Sequence, residues 1–240
     1  MNIALIFAGG AGARMNSRTL PKQFLELHRK PIIIHTIEYF ENHDEIDGIV
    51  VACIDGWHTY LQKKLEQFGI TKVNAIVPGG ATGQLSICNG VNKIHELYPE
   101  DSVVLVHDGV RPLINMQVIS DNIASVRKYG SAITVSPAIE TITVLDEDHK
   151  QIRKIMDRSK CFHAKAPQSF YLKDLYKTHQ AAFAAGKFDY IDSASLMQAY
   201  GYHLTAVEGP VENIKITTPS DFYIFRAIMD ARENSQIFGI

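Results

Sequence analysis

The sequence predicts an α/β fold on a mostly parallel central sheet, with a β-hairpin arm protruding from it. Three observations carry this. Short β-branched runs alternate with longer amphipathic stretches through the first half of the chain, the rhythm of βαβ units. The first run, NIALIF, leads directly into a glycine turn containing Gly9, Gly10 and Gly12. Beyond Pro137 the rhythm breaks into two alternating strands with no helix between them.

Taken in order, the expected strands are residues 2–7 (NIALIF), 46–54 (IDGIVVACI), 73–77 (VNAIV), 102–107 (SVVLVH) and 132–136 (AITVS). Runs so continuously apolar are covered on both faces, as parallel strands are. Between them, residues 31–40, 57–68, 83–97 and 116–128 carry apolar side chains near a 3.6-residue period and read as the covering helices. The stretch AIETITVLDEDHKQIRKIM reads as a hairpin turning at residues 146–150, within an arm at about 138–163. Two strands alone are marginal in water, so such an arm needs another surface; the pattern leaves open whether that is its own domain or a second subunit. Helices at 172–185 and 193–200, a strand near 203–207, a short strand NIKIT (213–217) and a closing helix from Ser220 complete the chain.

With 240 residues, 46% of them hydrophobic, the chain can bury a full core as one domain over residues 1–240. Lys and Arg number 24 against 26 Asp and Glu, a net charge of −2, so no global basic field draws nucleic acid or an anionic membrane. An anion site must be built locally. Cys53, Cys88 and Cys161 are odd in number, far apart and without a C-x-x-C pair. That argues against a disulfide framework or a zinc site and for a reducing cytoplasm. No apolar run approaches the ~18 residues of a membrane span and no signal-peptide pattern opens the chain, so a soluble, unprocessed protein is expected.

The loop after the first strand suits a polyphosphate. Lacking Cβ atoms, Gly9, Gly10 and Gly12 let backbone N–H groups crowd round phosphate oxygens as an anion-binding nest, while Arg14 and Lys22 supply positive charge. Neither common phosphate fingerprint fits: Met15 stands where the third glycine of G-x-G-x-x-G belongs, and no G-x-x-x-x-G-K-[ST] occurs. The less favoured reading of the same residues is a plain strand-to-helix turn with solvated cations. Ligands of such a sheet bind at the carboxyl ends of its strands, where this loop and the segment VHDGVRP both emerge. There Asp108 can hold a divalent cation and Arg111 can meet phosphate, although the pair alone is also an ordinary strand end. His107 reads as a packed, hydrogen-bonded histidine outside the mechanism.

Across nearly the whole chain, the blocks FAGGAGARM with LPKQF, then GGATGQLS, VHDGVRP, KAPQSF and ENIKITTPSDF, resemble the cytidylyltransferases that make CDP-methylerythritol or CDP-ribitol, in order and at similar spacing. The resemblance implies a Rossmann-like nucleotidyltransferase fold, use of CTP with Mg²⁺, and a homodimer whose β-arm reaches toward the partner's active site. It implies that Arg14 and Lys22 grip the triphosphate and stabilise the transition state, with Lys215 as a third catalytic cation. Ala8, Gly9, Gly10 and Gly12 match the loop beneath the nucleotide, and Gly80 and Ser86 the block that reads cytosine and ribose. Asp108 matches the metal position beside the nucleotide, and Arg111 a position on the acceptor side. In the arm, Thr141 and Arg158 match residues that hold the acceptor's phosphate, while Asp192 resembles an acidic residue that binds acceptor hydroxyls. Two positions depart from the pattern. Gly83 stands where an arginine is common, and the neighbouring Gln84, shorter and neutral, cannot reproduce an arginine's fork. Ala166 stands where a threonine is usual.

The reaction implied is attack of an acceptor phosphate oxygen on the α-phosphorus of CTP, in line with departing pyrophosphate. A phosphate monoester with a second pKa of about 6 is already largely ionised, so no Ser, Cys or His nucleophile is required. Positioning, cations and Mg²⁺ carry the catalysis. The spacing from Arg14 to Lys22 is one residue longer than expected for the methylerythritol enzymes and resembles the ribitol-phosphate branch. Ribitol 5-phosphate is therefore the expected acceptor, giving CDP-ribitol for a cell-wall or capsular polymer. Methylerythritol 4-phosphate, in isoprenoid synthesis, is the close alternative, and other alditol or sugar phosphates stay open. A nicotinamide-dependent oxidoreductase on the same layout is opposed by Met15, and a non-catalytic nucleotide-binding module by the set Arg14, Lys22, Asp108 and Lys215.

Overall fold

The computed structural model describes residues 1–10 and 20–238, with side chains through residue 234. In chain order, β1 (Asn2–Ala8) is followed by a 3₁₀ turn (Lys22–Phe24), the short antiparallel pair β2 (Glu26–Leu27) and β3 (Lys30–Pro31), and α1 (Ile32–Glu41). Then come β4 (Gly48–Cys53), α2 (His58–Gln67), β5 (Val73–Pro78), α3 (Gly83–Leu97), β6 (Val103–Asp108), α4 (Met116–Tyr129) and β7 (Ser131–Pro137). The hairpin strands are β8 (Thr143–Leu145) and β9 (Ile152–Ile155). A long strand β10 (Phe162–Tyr171), helices α5 (Leu172–Ala184) and α6 (Ser193–Ala199), β11 (Ala206–Glu208) and α7 (Pro219–Phe238) complete the described chain.

Seven strands form one sheet in the order β11-β7-β10-β6-β1-β4-β5. All neighbours are parallel except β10, which runs antiparallel to both β6 and β7. Alternate residues of β1 feed the two faces: Ala4 and Ile6 join a core with α1, α2 and α4, whereas Ile3 and Leu5 face α3 and α5. The central strands β1, β4 and β6 are buried on both faces, which is why they read as unbroken apolar runs.

Three expectations change. A strand over 213–217 does not form: Ile216 N–H bonds Val110 O, Asn213 O accepts from Arg111, and the Thr217 and Thr218 N–H groups go to the Asp221 carboxylate. These backbone groups are claimed one at a time, so no ladder can build. The strand near 203–207 sits later, at Ala206–Glu208, because Thr205 N–H and His203 O are both engaged by the Ser131 hydroxyl. The strand β10 itself has no counterpart in the sequence reading. Pro167 interrupts its pattern, and its ladder to β7 breaks between Ala164 and Gln168 to accommodate the proline.

The hairpin is solvent-facing along both strands. Ile139, Ile152, Ile155 and Phe162 are each more than half exposed, an apolar surface of the kind that marks an interface when contiguous. Among the described residues no helix is long and apolar enough to cross a membrane.

Candidate active site

Parallel pairing brings the carboxyl ends of β1 and β6 side by side, with Phe7 opposite Asp108. The chain leaving β1 presses against the loop after β5: a Cβ on Gly9 would lie 2.5 Å from the Ser86 hydroxyl and 3.1 Å from Gly79 Cα. Only glycine permits that approach. Ser86 in turn accepts from Gly80 N–H (2.9 Å) and donates to Thr82 O (2.9 Å), and Thr82 caps α3 through Leu85 N–H. Gln23, buried in the 3₁₀ turn, donates to Ala8 O (2.8 Å) and Gly10 O (3.3 Å), tying the first loop to the turn that bears Lys22. Phe24 anchors that turn against Trp57 and Tyr60. The result is a cleft of about 530 Å³ lined by Ala8, Gly9, Gly10, Lys22, Gly80, Ser86, Asp108 and Lys215, among others.

Asp108 ends β6 and is the electrostatic centre of the site. Its Oδ2 accepts from Arg111 Nε (2.7 Å) and its Oδ1 meets Lys215 Nζ at 2.5 Å. Burial alone would raise the Asp108 carboxyl, but the Arg111 and Lys215 charges outweigh it and hold it well below the usual carboxylate range. Arg111 also donates to Asn213 O (2.9 Å), and Asn213 donates to Ala166 O (2.7 Å), which fixes the segment carrying Lys215. The Lys215 ammonium stands 5.7 Å from the centre of the Phe7 ring. His107 points away from this group into the core, bonding Arg111 O at 3.1 Å, and burial pushes its pKa down to about 4. It is the packed histidine that the sequence suggested.

A second cavity, about 290 Å³, shares Phe7, Gly83, Asp108 and Lys215 with the first and adds Arg111, Lys165, Gln168 and Asp192. Asp192 caps α6 through Ser195 N–H and accepts from Gln168 Nε2 (2.9 Å), while Gln168 Oε1 accepts from Ala194 N–H. Gln84 does not turn toward the space left by Gly83. Its amide clamps Lys187 O and Tyr190 N–H, fastening the segment that precedes Asp192 to the first turn of α3. A Cβ on Gly83 would meet nothing within 4 Å, so the glycine leaves that wall open.

Of the residues singled out by sequence, ten thus line one or other of two adjoining cavities: Ala8, Gly9, Gly10, Lys22, Gly80, Ser86, Asp108, Arg111, Asp192 and Lys215. Gly12 and Arg14 lie outside the described residues. Thr141 and Arg158 stand on the exposed arm and line neither cavity; Arg158 bonds Ile139 O instead. Sequence reasoning passed over Gln23, Asn213, Lys165 and Gln168. All four lie inside the quoted blocks LPKQF, KAPQSF and ENIKITTPSDF, but their roles depend on which backbone they meet.

For a divalent cation, no cluster of three His, Cys, Asp or Glu side chains exists among the described residues. Magnesium bound with a polyphosphate needs only one or two carboxylates, the phosphates and water completing its shell. Asp108 meets that requirement: its two ion pairs leave lone pairs open at the cleft wall.

Comparison with known proteins identifies the family. Residues 2–231 match the family model described as IspD: 2-C-methyl-D-erythritol 4-phosphate cytidylyltransferase. Full-length relatives, each 54% identical and covering 100% of both chains, are the ribitol-5-phosphate cytidylyltransferases of Streptococcus agalactiae serotype III and Vibrio parahaemolyticus serotype O3:K6. Among solved structures, the 4-diphosphocytidyl-2C-methyl-D-erythritol synthase of Anaerococcus prevotii superposes with a TM-score of 0.82 at 26% identity, covering 96% of each chain. The chain belongs to the IspD family of CTP-dependent cytidylyltransferases.

Proposed function

We propose that this enzyme transfers CMP from CTP to ribitol 5-phosphate, releasing pyrophosphate and forming CDP-ribitol. The observation that carries the reading is the Arg111–Asp108–Lys215 group standing at the junction of two cavities, one floored by a glycine loop and one walled by an acidic side chain and cations. The larger cleft takes CTP, with Gly80 and Ser86 at the base and ribose and the loop of Ala8, Gly9 and Gly10 beneath the phosphates. The smaller cavity takes the phosphorylated polyol. Naming the acceptor rests on the 54% identical relatives, whose printed name is ribitol-5-phosphate cytidylyltransferase.

In this reading an oxygen of the acceptor phosphate forms a new bond to the α-phosphorus while the bond to the β-phosphate oxygen breaks, and pyrophosphate leaves with the electron pair. Lys22, Arg14 and Lys215 neutralise the charge that gathers on the leaving group, and Arg111 and Asp192 orient the acceptor. Asp108 would hold Mg²⁺, which when bound supplies further charge neutralisation at the phosphates. Asp108 also holds Lys215, which lines both cavities, and Arg111, which lines the smaller one, through separate carboxylate oxygens.

Thr141 and Arg158 complete an acceptor site only if the arm of one subunit reaches another's cavity, so we read the enzyme as a homodimer through the arm, its exposed isoleucines covered there. Sedimentation checks this: a fully active monomer would refute it. Cytoplasmic placement and a single domain over residues 1–240 belong to the same reading.

Methylerythritol 4-phosphate is the competing acceptor, favoured by the description of the family model and by the Anaerococcus structure. Pyrophosphate release from CTP and Mg²⁺ with each acceptor in turn decides. A preference for ribitol 5-phosphate supports the reading, a preference for methylerythritol 4-phosphate replaces it, and no release with either refutes both.

A further inference from the structure

We propose that Lys165 is an acceptor-binding residue whose ammonium takes the phosphate of the phosphorylated acceptor in the smaller cavity. The proposal rests on the cytidylyltransfer reading and adds to it a cation that no comparison or motif assigned. Lys165 is 8% exposed, yet it lines that cavity beside Arg111, Asp192 and Lys215.

Its Nζ donates to Val211 O (2.6 Å) and Pro210 O (3.2 Å). An ammonium has three N–H donors, so one remains. Carbonyl oxygens accept hydrogen bonds but do not neutralise a charge. Among the described residues no carboxylate lies within 4.0 Å of this ammonium, whereas the cavity's other cations, Arg111 and Lys215, are both paired with Asp108. Asp192 is committed to Gln168 and to the cap of α6.

Burying a cation without an ion-pair partner is unfavourable: burial, then the nearby Arg111 charge, push the Lys165 pKa below the usual lysine value, and the Glu212 carboxylate, beyond ion-pair distance, offsets them only in part. The cavity therefore lacks one negative charge and one acceptor. A phosphate dianion supplies both. A polyol hydroxyl would satisfy the donor and leave the charge uncompensated, which is why the phosphate end is assigned here.

The test is Lys165→Met, which keeps the length and removes the charge, beside Lys165→Gln, which keeps a donor for the carbonyls of residues 210 and 211 and so guards against misfolding. Two readouts are taken: pyrophosphate release against each substrate, and calorimetric binding of inorganic phosphate with a non-hydrolysable CTP analogue in the larger cleft. Losing one charged hydrogen bond should raise the acceptor KM about 10- to 100-fold in both variants and weaken phosphate binding to match, with kcat and the KM for CTP within about threefold of wild type. An unchanged acceptor KM would overturn the proposal. So would equal losses toward CTP and acceptor, which would make Lys165 a tie to residues 210 and 211 only. If wild type turns over no acceptor, the cytidylyltransfer reading fails and the phosphate titration still decides this one. The proposal then stands if wild type binds phosphate and the variants do not, and falls if they bind alike or if none binds.

Discussion

Replacing Lys215 by Met separates a cation that acts in the transition state from one that merely buttresses Asp108. The Lys215 ammonium is 2.5 Å from Asp108 Oδ1, with side-chain exposures of 39% and 7% respectively. After the substitution Asp108 keeps its 2.7 Å bond from Arg111, so the buried carboxylate retains a partner. A partly exposed pair of this kind, backed by a second cation, contributes about 1 kcal/mol or less, which is roughly 2–4 °C in Tm for a chain of this length. Removing a preorganised charge from the transition state costs far more in rate, about 10²- to 10³-fold in kcat or on the order of 3–4 kcal/mol. The assay is pyrophosphate release at saturating CTP and ribitol 5-phosphate, paired with a thermal melt and a CTP titration. The expected result is that large kcat loss with a melt shifted by no more than about 4 °C. A kcat within about threefold of wild type would refute the transition-state role. A melt lowered by more than about 10 °C alongside the kcat loss would refute the energetics and make Lys215 a structural tie.

Other perturbations follow from the same geometry. A Cβ on Gly80 would lie 2.7 Å from Leu85 C and 2.8 Å from Ser86 N, so Gly80→Ala should cost about 1–3 kcal/mol and raise the KM for CTP. Gly83→Ala faces open space and should stay within about 0.5 kcal/mol of wild type; equal melts for the two variants would show the α3 entrance to be pliable. His107 and His179 are buried with pKa values of about 4 against 6.5, so between those limits the unfolded chain binds protons that the folded chain does not. Stability should therefore be full above about pH 6.5 and fall toward pH 4 by about 3 kcal/mol per histidine, and urea midpoints that stay flat across this window would count against it. Gln168→Leu removes the bonds to Asp192 and Ala194. It should raise the acceptor KM about tenfold and leave the KM for CTP alone, as steady-state kinetics would show, and an effect on CTP instead would disconnect Asp192 from the acceptor cavity.

Much of this molecule is legible without coordinates. The parallel strands were visible because burial on both faces demands continuous apolar runs, and the helices because one buried stripe imposes a 3.6-residue period. The loop at Gly9 and Gly10 and the charges of Lys22, Asp108 and Arg111 were read from residue type and place in the chain, whereas Lys215 was singled out only through the family resemblance. The strand β10 did not, because its pairing between β6 and β7 is decided by partners far away in the chain, and Pro167 blurs its pattern. NIKIT looked like a strand, yet its backbone groups meet Arg111, Val110 and Asp221 one by one.

The sequence by itself determined the fold class and supplied the glycines and charged residues from which an anion site can be built, since composition and local periodicity follow from burial and charge along the chain. Only the tertiary structure decided what each polar side chain touches. It committed Gln84 to Lys187 and Tyr190, set Gln168 against Asp192, and buried Lys165 among carbonyls without a carboxylate. Hydrogen bonds are short and directional, so their partners are chosen by the position of backbone that is distant in sequence, which no local pattern encodes.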